Sequence, residues 1–567
     1  MNKTDVIGEA KKRQRTALDE LAGKQLLAQY GVPVPRSVIV PDVQHADDAL
    51  RTLRLPVVVK IVSPDILHKS DAGGVKVNLQ SVAAVKDAIA AMASSPRLQG
   101  ARIEGYLIEE MAPGGQEIVV GGLTDPQFGP LIMVGLGGIF VEVLADVSFR
   151  ICPITRIDAQ EMLAELKGAA ILKGARGRQA VSLDAIVDVL VKVGGENGLL
   201  MRHAGEVKEA DINPLIVSET GAVAVDARFI LTDTPQRASR PLPHSSRLTP
   251  HQCLEAFTPL FEPKTVAVVG ASTRGTALPN VFIRRIREFG YAGEIYPIHP
   301  SAEEIDGLKA YQSLAETPRP IDYAYIAVSA AQIPPMLAAA KGHVRFAQVI
   351  SSGFGEVEEG KALQETLAAS ARAGGMRLIG PNCLGIYTPR GHVTFAEIGP
   401  KDVGPVGIIS QSGGLGTDII RRGLNRGLKF SGLITVGNCA DVTPTDLLEF
   451  YFADPQTRVV GLYIETAQDG RRLFEILREA NARKPVVILK GGRTRQGLMA
   501  AASHTGSLAG DDRVWVALSR QTGCVLVDSL DQFIDTLLAF QTLTPKTHPA
   551  QRVVLFGNGG GASVLAT

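Results

Sequence analysis

Charge of one sign is what these 567 residues most plainly lack: 59 lysines and arginines stand against 58 aspartates and glutamates, a formal net charge of +1. That balance excludes a dedicated binder of nucleic acid or anionic membrane, which needs a basic excess. It leaves room for a local basic pocket around a phosphorylated ligand. Cysteine is scarce, and Cys152, Cys253, Cys383, Cys439 and Cys524 are scattered without a CxxC pair. They read as buried thiols of a reducing compartment, not as a disulfide frame or a zinc site. Aromatics make up only 5% of the chain, so its cores must be largely aliphatic. No uncharged apolar run reaches the ~18 to 20 residues of a membrane span. The opening MNKTDVIGEAKKRQR lacks the apolar stretch of a signal peptide. A cytoplasmic protein without nucleic-acid or membrane partners is expected.

Glycine, by contrast, is abundant. Short runs of Val, Ile and Leu keep ending in glycine-rich turns: Thr265–Gly270, Gln348–Gly353, Val406–Ser412, Val459–Glu465, Pro485–Gly491 and Arg552–Gly557. Helix-length amphipathic stretches such as Val281–Phe289 and Thr417–Leu428 separate them, which predicts buried parallel strands in doubly wound α/β sheets. The clearest linker is Thr234–Pro250, rich in Pro, Ser and Arg; further breaks fall at Pro389–Pro405 and Thr542–His548. The expected division is residues 1–235, a linker at 236–255, one α/β domain at 256–388, a second at 389–545, and the start of a further α/β domain at 546–567. The chain stops at Thr567, inside the helix that should follow that last strand, so a truncated protein is expected.

Five segments carry chemistry in the later part of the chain. TVAVVGASTRG runs a strand into Gly270, Ala271 and Ser272, a turn that lets backbone approach a phosphate at a helix N-terminus. It lacks a full GxGxxG, and no acidic residue clearly ends the next strand, which weighs against NAD. ISSGFGE, with Ser351, Ser352 and Gly353, and IGPNCLG, with Pro381 and Asn382, also follow strands and should meet at the same sheet edge. IISQSGGLG sets Ser410, Gln411, Ser412 and Gly413 at a strand-to-helix turn suited to a phosphate or carboxylate. In MAAASHTGSLAGDD, small residues on both sides of His504 leave its imidazole accessible, and imidazole forms a labile phosphoramidate at neutral pH. A single histidine is usually a surface or satisfied core residue; the neighbourhood is what singles this one out.

In the N-terminal half, Lys60 ends an apolar run and could neutralise nucleotide phosphates. YLIEEMAPGGQE places Glu109, Glu110 and Met111 beside a turn with Glu117 beyond it, and each carboxylate alone reads as a surface charge at a strand end. Asn213 and Asp226, on neighbouring strands, are oxygen ligands suited to Mg²⁺.

The turns GAS, SSGFGE and GPNCLG, in this order, resemble the CoA-binding domain of the succinyl-CoA synthetase superfamily, and the ADP-forming acyl-CoA synthetase branch is the nearest match. The resemblance extends from about Lys24 to Thr567. It implies an ATP-grasp module, then a Rossmann-like CoA-binding domain, then a flavodoxin-like domain of succinyl-CoA-synthetase type. By the same resemblance Lys60 contacts phosphate, the Glu110–Met111 hinge meets adenine, Glu117 meets ribose, and Asn213 with Asp226 hold magnesium. The Ser410–Gly413 turn faces the acyl and phosphoryl site. Glu465, at the end of LYIE, hydrogen-bonds the phosphorylated His504, which rides on a swinging loop. His68, in HKSDAGGV, relays phosphate from the nucleotide to that loop and favours the ADP-forming branch. Gly559–Gly561 would aim a helix N-terminus at the phosphohistidine.

The implied reaction converts ATP, a small carboxylic acid and CoA into acyl-CoA, ADP and phosphate through phosphohistidine and an acyl phosphate, reversibly, in a homo-oligomer expected to be a dimer. Two alternatives remain at this stage: an acyl-CoA-binding regulatory part of a protein acyltransferase, and a CoA-activating lyase. The presence of both His68 and His504 argues against the first.

Overall fold

Two antiparallel sheets build the N-terminal half of the computed structural model, which describes residues 5–63, 66, 69, 72–137, 146–174, 179–232, 248–480, 483–492 and 512–543. The larger sheet runs in the order Ala17–Leu18, Arg228–Leu231, Val207–Val217, Gln116–Asp125, Gly129–Leu136, Val147–Ile151, with Ala222–Ala224 added to Val207–Val217. The smaller orders Ser37–Val40, Gly105–Glu110, Val57–Val62, Val75–Leu79. Each has its own aliphatic core. Leu26, Leu27, Ile118, Ile132, Leu190 and Ile212 belong to the first, Val57, Val59, Ile61, Val85 and Ile108 to the second. Along Val207–Val217 buried and open positions alternate around Ile212 and Leu215, so Asp211 and Asn213 share the face turned away from the core.

The chain divides into two compact units, and the first gathers Met1–Ser246 with Ala467–Arg478 and Gly510–Thr522. Within it the late segments dock on the edge of the large sheet. Arg471 N donates to Gln127 O (2.9 Å), the Gln521 amide pairs with both backbone groups of Ile151 (2.8 and 2.9 Å), and Trp515 packs edge-on to Phe128.

Among the described residues the second unit holds two large sheets and a two-stranded ribbon, Glu304–Ile305 with Leu308–Lys309. In the first, five parallel strands follow the order Glu294–Ile298, Thr265–Val269, Ile321–Ile326, Val344–Val349, Arg377–Ile379. The order reverses at Thr265–Val269, so the crevice for a ligand opens at that strand's carboxyl end, where Gly270 lies. Gly270 has φ +99°, and a β-carbon there would sit 2.3 Å from Ala327 O, so no other residue fits. The second sheet orders Val393–Thr394, Ile386–Thr388, Phe430–Thr435, Val406–Ser410, Val459–Ile464, Val486–Lys490, Val525–Val527. Its last five strands are parallel, and the first two add an antiparallel edge. Ile386–Thr388 thus lies on the near side of the break expected at residue 389. No helix among the described residues is long and apolar enough to cross a membrane.

Candidate active site

The first unit has a cavity of about 670 Å³, lined by Lys60, Lys69, Glu109, Glu110, Met111, Glu117, Asn213 and Asp226 among others. Six sequence-predicted residues, Lys60, Glu110, Met111, Glu117, Asn213 and Asp226, thereby come together from four separate segments. The hinge has a detail that sequence does not carry: Met111 N–H donates to Pro56 O (3.0 Å), and Glu110 accepts from Arg54 N (3.0 Å). Among the described residues Ala112 N–H makes no hydrogen bond, so it is the next open donor along the hinge.

Lys60 does not extend into open space. Its ammonium donates to Glu20 Oε1 (2.7 Å) and Val225 O (2.7 Å) and lies 2.6 Å from Glu109 Oε1. Lys24 bridges Glu20 (2.7 Å) and Glu109 (2.5 Å), and Lys69 also pairs with Glu20. Burial alone would raise the Glu20 pKa, but Lys60, Lys24 and Lys69 outweigh it and hold the carboxyl well below the usual range. Burial would likewise lower Lys60, and Glu20, Glu109 and Asp226 instead push its pKa up. Asp226 moves the other way from Glu20: burial, then the charge of Glu20, raise it above an ordinary aspartate, against the pull of Lys60. Burial and Asp226 raise Asp211 too. Glu20, Lys24, Lys69 and Asp211 were missed by sequence reasoning. Glu20 and Lys24 show only as an i, i+4 pair on a helix, and their partner Glu109 lies far along the chain.

In the second unit a cavity of about 360 Å³ is lined by Ile350, Asn382, Cys383, Leu384, Gln411, Ser412, Gly413, Gly414, Gly437 and Asn438. Asn382, Gln411, Ser412 and Gly413 therefore meet; Gly270–Ser272 and Ser351–Gly353 are not among its lining residues. The two sheets interlock here: Asn438 N donates to Pro381 O (3.0 Å), Ala440 N to Gly380 O (2.9 Å), and Gly385 N to Thr435 Oγ1 (2.8 Å). Asn438, in VGNCAD, is a wall residue that no sequence motif announced. Burial pushes the Cys383 thiol up to about 12, so it stays protonated at neutral pH and is no nucleophile.

The hydroxyl-rich turn works differently from its sequence reading. Ser410 is fully buried and donates to Ser412 O (2.7 Å), and Ser412 caps the helix Gly413–Asn425 by accepting from Leu415 N (3.3 Å). The N–H groups of Gly413 and Gly414, with no partner among the described residues, are what the turn offers an anion. The Gln411 amide is committed inward: Oε1 accepts from Glu465 N (2.5 Å) and Thr466 N (3.0 Å), and Nε2 donates to Thr466 O (2.9 Å). Gln411 thus holds the Glu465 backbone, while Tyr463 Oη donates to Glu465 Oε1 (3.1 Å). Similarly, Ser351 Oγ donates to Val328 O (2.5 Å), Gly353 N to Glu356 Oε1 (2.5 Å), and Ser272 N to Asn280 Oδ1 (2.8 Å). Burial would raise Glu356, but hydrogen bonds led by Asn438 lower it. Ala271 is buried and Ser352 exposed. His68, His504 and Gly559–Gly561 lie outside the described residues.

Comparison with known proteins matches residues 9–231 to an ATP-grasp domain, 264–389 to a CoA-binding domain and 403–540 to a succinyl-CoA ligase-like flavodoxin domain. The chain is 36% identical over 551 residues to acetate–CoA ligase [ADP-forming] II of Archaeoglobus fulgidus, covering 96% of this chain and 77% of that protein. It is 31% identical to 4-hydroxybutyrate–CoA ligase [ADP-forming] of Nitrosopumilus maritimus, covering 55% of this chain and 45% of that one. Among solved structures it resembles the dinucleotide-forming acetyl-coenzyme A synthetase 1 of Ca. Korarchaeum cryptofilum in complex with phosphate and ADP. There the TM-score is 0.51 and the identity 35%, over 55% of this chain and 67% of that one.

Proposed function

Because this chain belongs to the family of ADP-forming acetate–CoA ligases, we propose that it joins a small carboxylic acid to coenzyme A while ATP becomes ADP and phosphate. The observation that supports this most is the convergence of Lys60, Glu110, Met111, Glu117, Asn213 and Asp226 on one cavity of the first unit. In this reading the adenine lies along the Glu110–Ala112 hinge, Glu117 takes the ribose, and Lys60 faces the phosphates. Asn213 and Asp226 present an amide oxygen and a carboxylate, hard ligands that fit Mg²⁺. Among the described residues no cluster of three or more His, Cys, Asp or Glu forms a metal cage, and Mg²⁺ shared with a triphosphate requires none. Bound there, the ion would neutralise charge on the phosphates.

His68 Nε2 or Nδ1 takes the γ-phosphoryl group as the bond to ADP breaks, and the group passes to His504. A carboxylate held by the Gly413 and Gly414 N–H groups accepts it to form an acyl phosphate. The CoA thiolate then attacks the acyl carbon and expels phosphate. The domain carrying Gly270–Ser272, Ser351–Gly353 and Pro381–Asn382 holds CoA, and Glu465 steadies phospho-His504 through the opposite ring nitrogen. The reading is tested by product analysis with ATP, Mg²⁺, CoA and a panel of short, branched and aryl acids. ADP, phosphate and thioester in equal amounts are expected with at least one acid. AMP and pyrophosphate, or ATP turnover indifferent to CoA, would reject it.

Tyr463 offers a finer check. Its hydroxyl donates to the Glu465 carboxylate, and a hydrogen bond to a charged group contributes ~1.5 to 3 kcal/mol. Tyr463→Phe is expected to slow turnover about tenfold at unchanged KM for ATP, measured by initial rates, because only the orientation of Glu465 is lost.

A further inference from the structure

At the wall of the nucleotide cavity sits a buried charge cluster of which only Lys60 has been given a role above. Three ammonium groups, Lys24, Lys60 and Lys69, converge on two carboxylates, Glu20 and Glu109. Lys60, Lys69 and Glu109 line the cavity, while Glu20 and Lys24 do not. Glu20 is nonetheless the hub. Its Oε1 accepts from Lys24 and Lys60 (both 2.7 Å), and its Oε2 accepts from Lys69. It starts the helix Glu20–Gln29, whose Leu26 and Leu27 pack in the core of the large sheet. Lys60 rides on Val57–Val62 in the smaller sheet, and Lys69 follows the segment that contains His68. One carboxylate from one lobe therefore grips two cations that the other lobe presents to the cavity.

Resting on the ATP-dependent reading above, we propose that Glu20 is a positioning residue that sets the Lys60 and Lys69 ammonium groups side by side for the nucleotide's phosphates, with Lys24 and Glu109 as its buttress. Unrestrained, two long lysine side chains would repel each other and sample many rotamers, so each phosphate contact would have to order them anew. Lys24, only 2% exposed and bonded to both carboxylates, ties Glu20 and Glu109 to each other. The cations are thus ordered before the nucleotide arrives, which is the arrangement that favours phosphoryl transfer.

The two phosphorylation routes to His504 separate this role from a merely structural one. Glu20→Gln and Glu20→Asp, the latter keeping the charge but shortening the reach, are compared with the unaltered full-length protein. Label is followed from [γ-³²P]ATP with Mg²⁺, and from ³²P-phosphate with the acyl-CoA that best labels the unaltered protein. The expected result is labelling from ATP slowed at least about tenfold in both variants, with labelling from acyl-CoA and phosphate held within about twofold. Labelling from ATP at the unaltered rate in Glu20→Asp, or parallel loss of both routes in that variant, overturns the proposal. If the unaltered protein labels by neither route, the ligase reading itself has failed and the positioning role falls with it.

Discussion

Replacing His504 with alanine is expected to abolish acid-labile, base-stable label entering from ³²P-phosphate and acyl-CoA, to leave label from [γ-³²P]ATP stranded on His68, and to lower acyl-CoA synthesis by at least about 10³-fold, since neither flanking side chain can replace the nitrogen nucleophile. Its flanks are Ser503 and Thr505, with alanines before and glycine after. Their hydroxyls are poor nucleophiles without an adjacent base, and phosphate on them would be acid-stable. His68→Ala should behave differently. If His68 passes the group on, its loss removes label from ATP but spares label entering His504 from acyl-CoA and phosphate, because that route does not use the nucleotide side. Quenched-flow labelling followed by acid and base treatment reads both. Full label on His504→Ala from acyl-CoA and phosphate would end the phosphohistidine mechanism, and equal loss of both routes in His68→Ala would end the relay.

Much of this architecture is legible in the sequence. Aliphatic runs leading into glycine-rich turns, as in Thr265–Gly270 and Val406–Ser412, became parallel strands whose turns sit at the carboxyl edge, because a strand buried on both faces has no polar alternation to hide it. The short edge strands Ile386–Thr388 and Val393–Thr394 were not legible: two or three residues carry no period, and only the pairing of the first with Phe430–Thr435 and of the second with the first defines them.

At the sites, residue types were readable and their partners were not. Lys60, Asn213 and Asp226 announced themselves by the chemistry of their side chains. Glu20 did not, since Lys60 meets it across 40 residues and Glu109 meets Lys24 across 85. The same limit explains Ser410 and Gln411. A hydroxyl or amide in a glycine-rich turn suggests ligand contact, but such groups also satisfy nearby backbone, and here that local role holds them. Apart from the Ser412 hydroxyl, the donors this turn leaves for a ligand are backbone N–H groups, which every sequence possesses and no sequence advertises.

Asp226→Asn carries the second large effect, and its sign differs between stability and activity. In the protein alone, burial and the charge of Glu20 raise the Asp226 pKa, so the native state holds its proton more tightly than the unfolded chain does. Between its ordinary value and the raised one, stability therefore falls as pH rises, and above that window the ionised carboxylate is a standing cost. Glu20 has the opposite slope: its depressed pKa contributes stability that is present above the ordinary carboxylate value and lost as pH falls through the native one. With EDTA at neutral pH, Asp226→Asn should accordingly melt at or above the temperature of the unaltered protein. With Mg²⁺ and ADP the order should reverse, because ligand-linked stabilisation grows with affinity and the amide is a weaker ligand than the carboxylate. Labelling of His504 from ATP should fall about 10²-fold or more, several kcal/mol of charge stabilisation at ~1.4 kcal/mol per factor of ten. Label from acyl-CoA and phosphate should survive. Calorimetric melts with and without Mg·ADP check the first pair of outcomes. A variant that is stabilised by Mg·ADP as strongly as the unaltered protein would remove Asp226 from the metal site.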